Sequence, residues 1–290
     1  MLTGITFYEK YVSPADGEKH LEFLAEEGFK HVEFSPHPSL IDFDNLKYLM
    51  KKAYHLGLST AFHNPDFADP FHFSLNFFKS NSELKNHLLK QLYFLCESNP
   101  SPEPIKYVIH GASLPLNENP DRALLKELND RAFDYLSNEI LRQNLPLQLL
   151  LENTCYLDEF AVTQTAEDLS SFLQKYEGAP LDLCLDLPHW YRQYKGHDET
   201  PHKILEPSSK YILDHILYAH LHGISENLEK SHLPMKNENS FYFDFVKAFY
   251  DNKKEIIFNL EIFDLQGIEK FSTYENVVKS SFKPLVEYCR

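Results

Sequence analysis

Eight short apolar runs recur along this chain, and a longer segment with helical periodicity follows most of them. They read LTGITF (2–7), HVEFSP (31–36), LSTAFHN (58–64), KYVIHG (106–111), QLLLENT (148–154), LDLCLDL (181–187), ILYAHLHG (216–223) and IIFNLEIF (256–263). The intervening segments include 16–28, 42–57, 81–98, 121–144, 165–178 and 274–288. The first two of these end on Gly28 and Gly57, as helices often do, and Pro284 places a kink in the last. Strand alternating strictly with helix argues for a parallel sheet, and eight such units argue for a closed α/β architecture, the (β/α)8 TIM barrel. A doubly wound open sheet is the competing arrangement, but no glycine-rich phosphate fingerprint follows the first run. The proline-bearing stretch SNPSPEPIK (98–106) sits where a helix-to-strand turn is due, so residues 1–290 read as a single barrel domain.

Composition narrows what such a barrel works on. The mean hydropathy is −0.41, and no apolar run approaches the roughly 18 residues of a membrane span, so a soluble protein with no membrane partner is expected. The opening MLTGITFYEK lacks a basic region followed by an apolar one. Cys96, Cys155, Cys184 and Cys289 form no C-x-x-C pair, which disfavours a disulfide framework or a thiolate zinc knuckle and suits a reducing cytoplasm. A formal charge of −15, from 43 acidic and 28 basic residues, argues against nucleic acid, whose binding rests on basic groups neutralising phosphates. A small-molecule substrate is the expected partner, and the oligomeric state stays open.

In a parallel barrel the reactive end is the C-terminal end of the strands. The runs carry, near those ends, Glu33, His63, His110, Glu152, Asp186 with His189, His220 and Glu261. In ILYAHLHG, the period of two sets Tyr218, His220 and His222 on one face and Leu217, Ala219 and Leu221 on the other. Several carboxylates packed round one mouth would repel and lose hydration, at a cost of several kcal/mol per ion. Divalent cations remove that cost, and His, Asp and Glu are suitable ligands for Zn2+, Mn2+ or Mg2+.

The motifs LLLENT, LDLPHW, AHLHG, SHLPM and NLEIF, in this order, resemble the xylose isomerase-like TIM barrels. That superfamily joins sugar isomerases and epimerases with AP endonuclease family 2, which includes endonuclease IV. The resemblance implies a four-ligand metal site at Glu152, Asp186, His220 and Glu261. It matches His63 and His110 to the histidines that join the shared glutamate around a second ion in the endonuclease branch, and His189 and His232 to a third site. Lys230 stands where that branch has an aspartate, which argues against a third ion unless Glu229 supplies the ligand. Two ions are therefore expected, Zn2+ first, with Mn2+ or Mg2+ as alternatives. Glu33 and His222 are expected to meet substrate, His222 with the alternative of supporting a ligand. So are Trp190 and Arg192 in the segment 190–202, which with 111–120 is expected to form specificity loops.

Two chemistries fit these residues. The first is hydrolysis of a small phosphoester or phosphodiester, with Glu152 bridging two ions and Glu261 as ligand and proton acceptor. The alternative is isomerisation or epimerisation of a sugar or sugar phosphate at one ion, with Glu152 or Glu261 moving the proton on carbon. An AP endonuclease and a non-catalytic metal-binding barrel are the remaining options, and the acidic charge weighs against the former.

Overall fold

The computed structural model describes residues 2–7, 14–35, 42–64, 83–115, 121–154, 159–195, 201–206, 209–228, 230–235, 240–251, 255–262, 275–281 and 283. The strands are β1 (Leu2–Phe7), β2 (His31–Phe34), β3 (Ser59–His63), β4 (Ile105–His110), β5 (Ser113–Pro115), β6 (Leu147–Glu152), β7 (Glu159–Ala161), β8 (Leu181–Asp186), β9 (Ile216–Leu221) and β10 (Ile257–Leu260). Eight of them close into a barrel in the order β1-β10-β9-β8-β6-β4-β3-β2, every neighbouring pair parallel. Each apolar run of the sequence holds one of these eight strands. Strands β5 and β7 form a separate antiparallel pair beyond the ends of β4 and β6. Gly111 lets this pair approach: a Cβ there would lie 2.5 Å from Thr163 Cγ2.

Helices α1 (Pro14–Glu26), α2 (Phe43–His55), α3 (Glu83–Ser98), α4 (Arg122–Gln143) and α5 (Ala166–Lys175) occupy the expected segments. Gly28 and Gly57 follow α1 and α2 with φ of 90° and 75°, a backbone that only glycine adopts cheaply. Asp42 caps α2 by accepting from the amides of Asp44 and Asn45, and Thr165 with Asp168 forms a capping box on α5. Residues 275–281 are helical as expected, while Pro284 lies outside the described residues.

Two further helices were not legible as such. Helix α6 (Leu187–Lys195) starts directly after β8 and takes up much of the segment expected as a loop. Asp186 makes this possible: its Oδ1 accepts the amide of His189 at 2.5 Å, and Pro188 in the first turn needs no amide partner. After the short α7 (Lys210–His215), helix α8 (Ser240–Asp251) buries Phe241, Phe245 and Phe249, four residues apart, together with Tyr242 and Val246.

The period of two now sorts the strands. Phe62, Ile109, Leu151, Leu185, Leu221 and Leu260 face outward into the main core beneath the helices. Ala61, Val108, Leu150, Cys184, Tyr218 and Ile257 face inward and fill the barrel. One irregularity departs from simple alternation. Pairing passes from Leu183–Ile216 to Cys184–Tyr218, so Leu217 is an extra residue on β9 and packs against the interior cluster, away from Ala219 and Leu221. Two residues beyond the interior layer, the same inward face carries His63, His110, Glu152, Asp186, His220 and Asn259.

Candidate metal centre

Four of the expected ligands converge at the mouth. One donor atom each from Glu152, Asp186, His220 and Glu261 lies within 4.8 Å of the others, and all four side chains are buried. A second group shares Glu152: its Oε2 is 3.0 Å from His63 Nε2 and 3.2 Å from His110 Nε2. A third shares Asp186 and adds His189, His222 and His232.

The surroundings of two imidazoles say what the site can hold. His63 Nδ1 lies 2.8 Å from the carbonyl of Asn64, an acceptor only, so that nitrogen carries the proton. In the neutral ring Nε2 is then a lone pair aimed at a carboxylate. His220 repeats the arrangement: Nε2 faces Glu33 Oε2 at 3.0 Å, which leaves Nδ1 as the lone pair, 3.4 Å from both Glu152 Oε2 and Glu261 Oε2. Glu152 Oε1, His220 Nδ1 and Glu261 Oε2 are buried without a hydrogen-bond partner among the described residues. Acceptors facing acceptors in a buried site require a cation between them, either a proton or a metal ion.

The titration of the side chains carries the same message. Burial works against the charged forms of His63 and His220, yet nearby groups override it and raise both: the Glu152 bond and the Glu152, Glu261 and Glu33 charges for His63, and Cys184 with those carboxylates for His220. Burial also opposes the Glu152 carboxylate, and His220 and His110 hold it well below the usual range. Asp186 goes the other way. Burial, against the pull of His189 and with added repulsion from Glu152, pushes it up to about 7. His189 and His222 are lowered to about 4, chiefly by burial, and so keep neutral imidazoles available as ligands. The donor set of neutral imidazoles and anionic carboxylates, gathered with unmatched lone pairs, fits divalent cations.

Asp186 is held from both sides. Asn153 Oδ1 accepts its amide at 2.7 Å, Asn153 Nδ2 donates to its carbonyl at 3.0 Å, and the α6 cap fixes Oδ1. Its Oδ2 therefore points at the third group, 3.1 Å from His222 Nε2 and 3.4 Å from His189 Nδ1. His222 and His232 stack there with centroids 4.1 Å apart. His222 is thus a member of a possible ligand group, a placement its period of two with His220 would have allowed. Lys230 is exposed and binds Ser225 through its backbone, and Glu229 lies outside the described residues.

Three residues expected to meet substrate, Glu33, Trp190 and Arg192, are buried. Glu33 is fully buried below the mouth, its Oε1 accepting from Thr6 at 2.9 Å and Asn259 at 3.3 Å, and its Oε2 facing His220. Trp190 is 0 % exposed because its indole N–H donates to the carbonyl of Pro201 at 2.9 Å and its ring packs on Tyr194. Arg192 on the same helix is 6 % exposed, which leaves little of it for a ligand from solvent. For Trp190 and Arg192 the reason is shared: the start of the segment that reads as a polar loop is a helix packed on the barrel. Thr6 and Asn259 on strands and Asn153 just past β6 went unnoticed because short polar residues at such positions carry no spacing signal. Of the other expected loop, residues 116–120 lie outside the described residues.

No protein-family model matches the chain, and no curated protein matches it significantly in sequence. Solved structures do match along its whole length. D-allulose 3-epimerase from Methylomonas sp., solved with D-allulose, aligns with a TM-score of 0.69 at 14 % identity, over 99 % of this chain and 97 % of that one. The E. coli 3-keto-D-glucoside 4-epimerase gives 0.67 at 12 % identity, over 98 % and 99 %. AP endonuclease, family 2, from Brucella melitensis gives 0.60 at 14 % identity, over 96 % and 95 %. At these identities the likeness is one of fold: the chain shares with these proteins a closed eight-stranded parallel (β/α)8 barrel.

Proposed function

We propose that this protein is a metal-dependent isomerase or epimerase of a sugar or a similar small polyhydroxylated carbonyl compound. The observation that carries the reading is the buried group Glu152, Asp186, His220 and Glu261, in which both glutamates keep an oxygen without a hydrogen-bond partner. The full-length likeness to two sugar epimerases supports it, and moves the choice away from phosphoester hydrolysis, the first chemistry drawn from the sequence. A divalent ion held by these four side chains would supply a Lewis acid to a carbonyl and its neighbouring hydroxyl. Glu152 on β6 and Glu261 just past β10 approach the mouth from different strands, so one carboxylate removes the proton from the carbon beside the carbonyl and the other returns it. His189 offers its ring to a hydroxyl. Burial of the whole set excludes water from the deprotonated carbon.

The test is turnover of ketohexoses and their phosphates in D2O with Zn2+, Mn2+ or Mg2+ supplied. Deuterium should enter the substrate at the carbon whose configuration changes or at the one beside the carbonyl. Metal-loaded protein that incorporates none from any of them, while cleaving phosphoesters, refutes the reading.

Phosphoester hydrolysis remains as a second reading because of one observation, the convergence of His63 and His110 on Glu152 Oε2. Isomerisation at one ion does not need this second group, whereas clamping both oxygens of a phosphoryl transfer does.

A further inference from the structure

We propose that Glu33 fixes His220 as a metal ligand, by accepting the Nε2 proton of the imidazole so that the Nδ1 lone pair faces the ion. The inference rests on reading His220 as a ligand, and gives a role to a carboxylate that lies below the reacting atoms.

Glu33 Oε2 is 3.0 Å from His220 Nε2, and both side chains are 0 % exposed. An ionised carboxylate only accepts, so the facing nitrogen must donate. A neutral imidazole then has one lone pair left, on Nδ1, the atom that lies 3.4 Å from Glu152 Oε2 and from Glu261 Oε2. A carboxylate behind the ring also increases the electron density that the ring offers a cation, and it stops the ring from turning.

Glu33 is itself held in place. Thr6 Oγ1 donates to its Oε1 at 2.9 Å, Asn259 Nδ2 reaches the same oxygen at 3.3 Å, and Asn259 Nδ2 also donates to Thr6 Oγ1 at 2.7 Å. These contacts coincide with the barrel's own ladder. Thr6 pairs with Glu33 between β1 and β2, and Asn259 pairs with His220 between β10 and β9. The strand register therefore sets the position of the carboxylate, without recourse to a loop. Gly4 leaves room for it: a Cβ there would come within 2.8 Å of Asn259 Oδ1.

The test uses the full-length protein, Zn2+ affinity by competition with a chelating dye, and long-range 1H–15N NMR of the Zn2+-loaded protein. In the wild type, Nδ1 of His220 should be the metal-bound nitrogen and Nε2 should carry a proton. Glu33→Ala should lower Zn2+ affinity by about 10- to 100-fold, and Glu33→Gln, which keeps an acceptor but loses the charge, by less. In a His220→Ala background Glu33→Ala should cost nothing further, because the effect runs through that ring. If Glu33→Ala does not fold, Glu33→Gln and Thr6→Val carry the test, each expected to weaken Zn2+ binding. Unchanged affinity in the folded variants, Nε2 as the metal-bound nitrogen, or a Glu33→Ala loss that persists without His220 would each overturn the proposal. A wild type that binds none of Zn2+, Mn2+ and Mg2+ would instead overturn the reading beneath it.

Discussion

Asp186→Asn should cost the protein its metal and yet stabilise the metal-free barrel at neutral and alkaline pH. In the metal-free protein Asp186 titrates at about 7 instead of near 3.8, chiefly because it is buried. A carboxyl group whose folded value is raised stabilises the fold while it stays protonated. That contribution is complete below about pH 4 and is lost as pH rises through 7. A shift of this size corresponds to about 4 kcal/mol. An asparagine cannot ionise, and it keeps the cap: its carbonyl oxygen can accept the His189 amide as Asp186 Oδ1 does. Facing His222, the amide donates where the carboxylate accepted, and His222 Nδ1 accepts the His232 amide at 2.9 Å, so its Nε2 keeps the proton and loses that acceptor at every pH, which offsets the gain without changing its pH dependence. Urea unfolding of chelator-treated wild type and variant between pH 5 and pH 8 reads mainly this group, since His189, whose titration the Asp186 charge also moves, titrates at about 4, below that range. The advantage of the variant should grow with pH by about 3 kcal/mol over that range. A difference that is flat in pH, or one that favours the wild type more as pH rises, would refute the burial argument. With Zn2+ present the order should reverse, since only the wild type gains the linkage term, about 4 kcal/mol at a thousandfold excess over Kd.

Other outcomes follow from the same geometry. A His63→Ala/His110→Ala double variant should lose one metal equivalent and keep another, measured by elemental analysis, if the second group holds an ion; a wild type with one equivalent that the variant retains would confine the centre to the four-ligand group. Turnover should depend only weakly on salt and the protein should not retard duplex DNA, given its charge of −15; steeply salt-sensitive binding to abasic DNA would favour the repair chemistry. Gly4→Ala should destabilise the fold by about 1–3 kcal/mol through overpacking, since its Cβ would meet His31 at 2.7 Å and Asn259 at 2.8 Å; chemical denaturation of the two proteins decides this.

The barrel was legible because its strands and its first five helices carry their own signals. Asp42, Thr165, Gly28 and Gly57 mark helix ends, and the apolar runs mark strands, all through interactions local in sequence. Helix α8 was hidden because SFYFDFVKAFYD is apolar almost all round, which blurs the periodicity that marks an exposed helix. Helix α6 was hidden because its start is a cap made by Asp186, a residue that the strand-end argument had already claimed as a ligand. Asp186 does both, with one oxygen for each task. The mouth residues were legible from their position at strand ends, but their division of labour was not. Whether Glu33 reaches substrate or His220 depends on how far below the rim its strand stops, and barrel stagger fixes that only in three dimensions.

The central claim is that Glu152, Asp186, His220 and Glu261 hold a divalent ion, and elemental analysis of protein purified without chelators tests it most directly. The wild type should carry at least one equivalent of Zn2+, Mn2+ or Mg2+ per chain. Asp186→Asn and Glu152→Gln should each lose it while keeping the far-ultraviolet circular dichroism of the folded barrel. A folded wild type devoid of metal that takes none up from Zn2+-, Mn2+- or Mg2+-containing buffer, or metal content unchanged in both variants, would contradict the account.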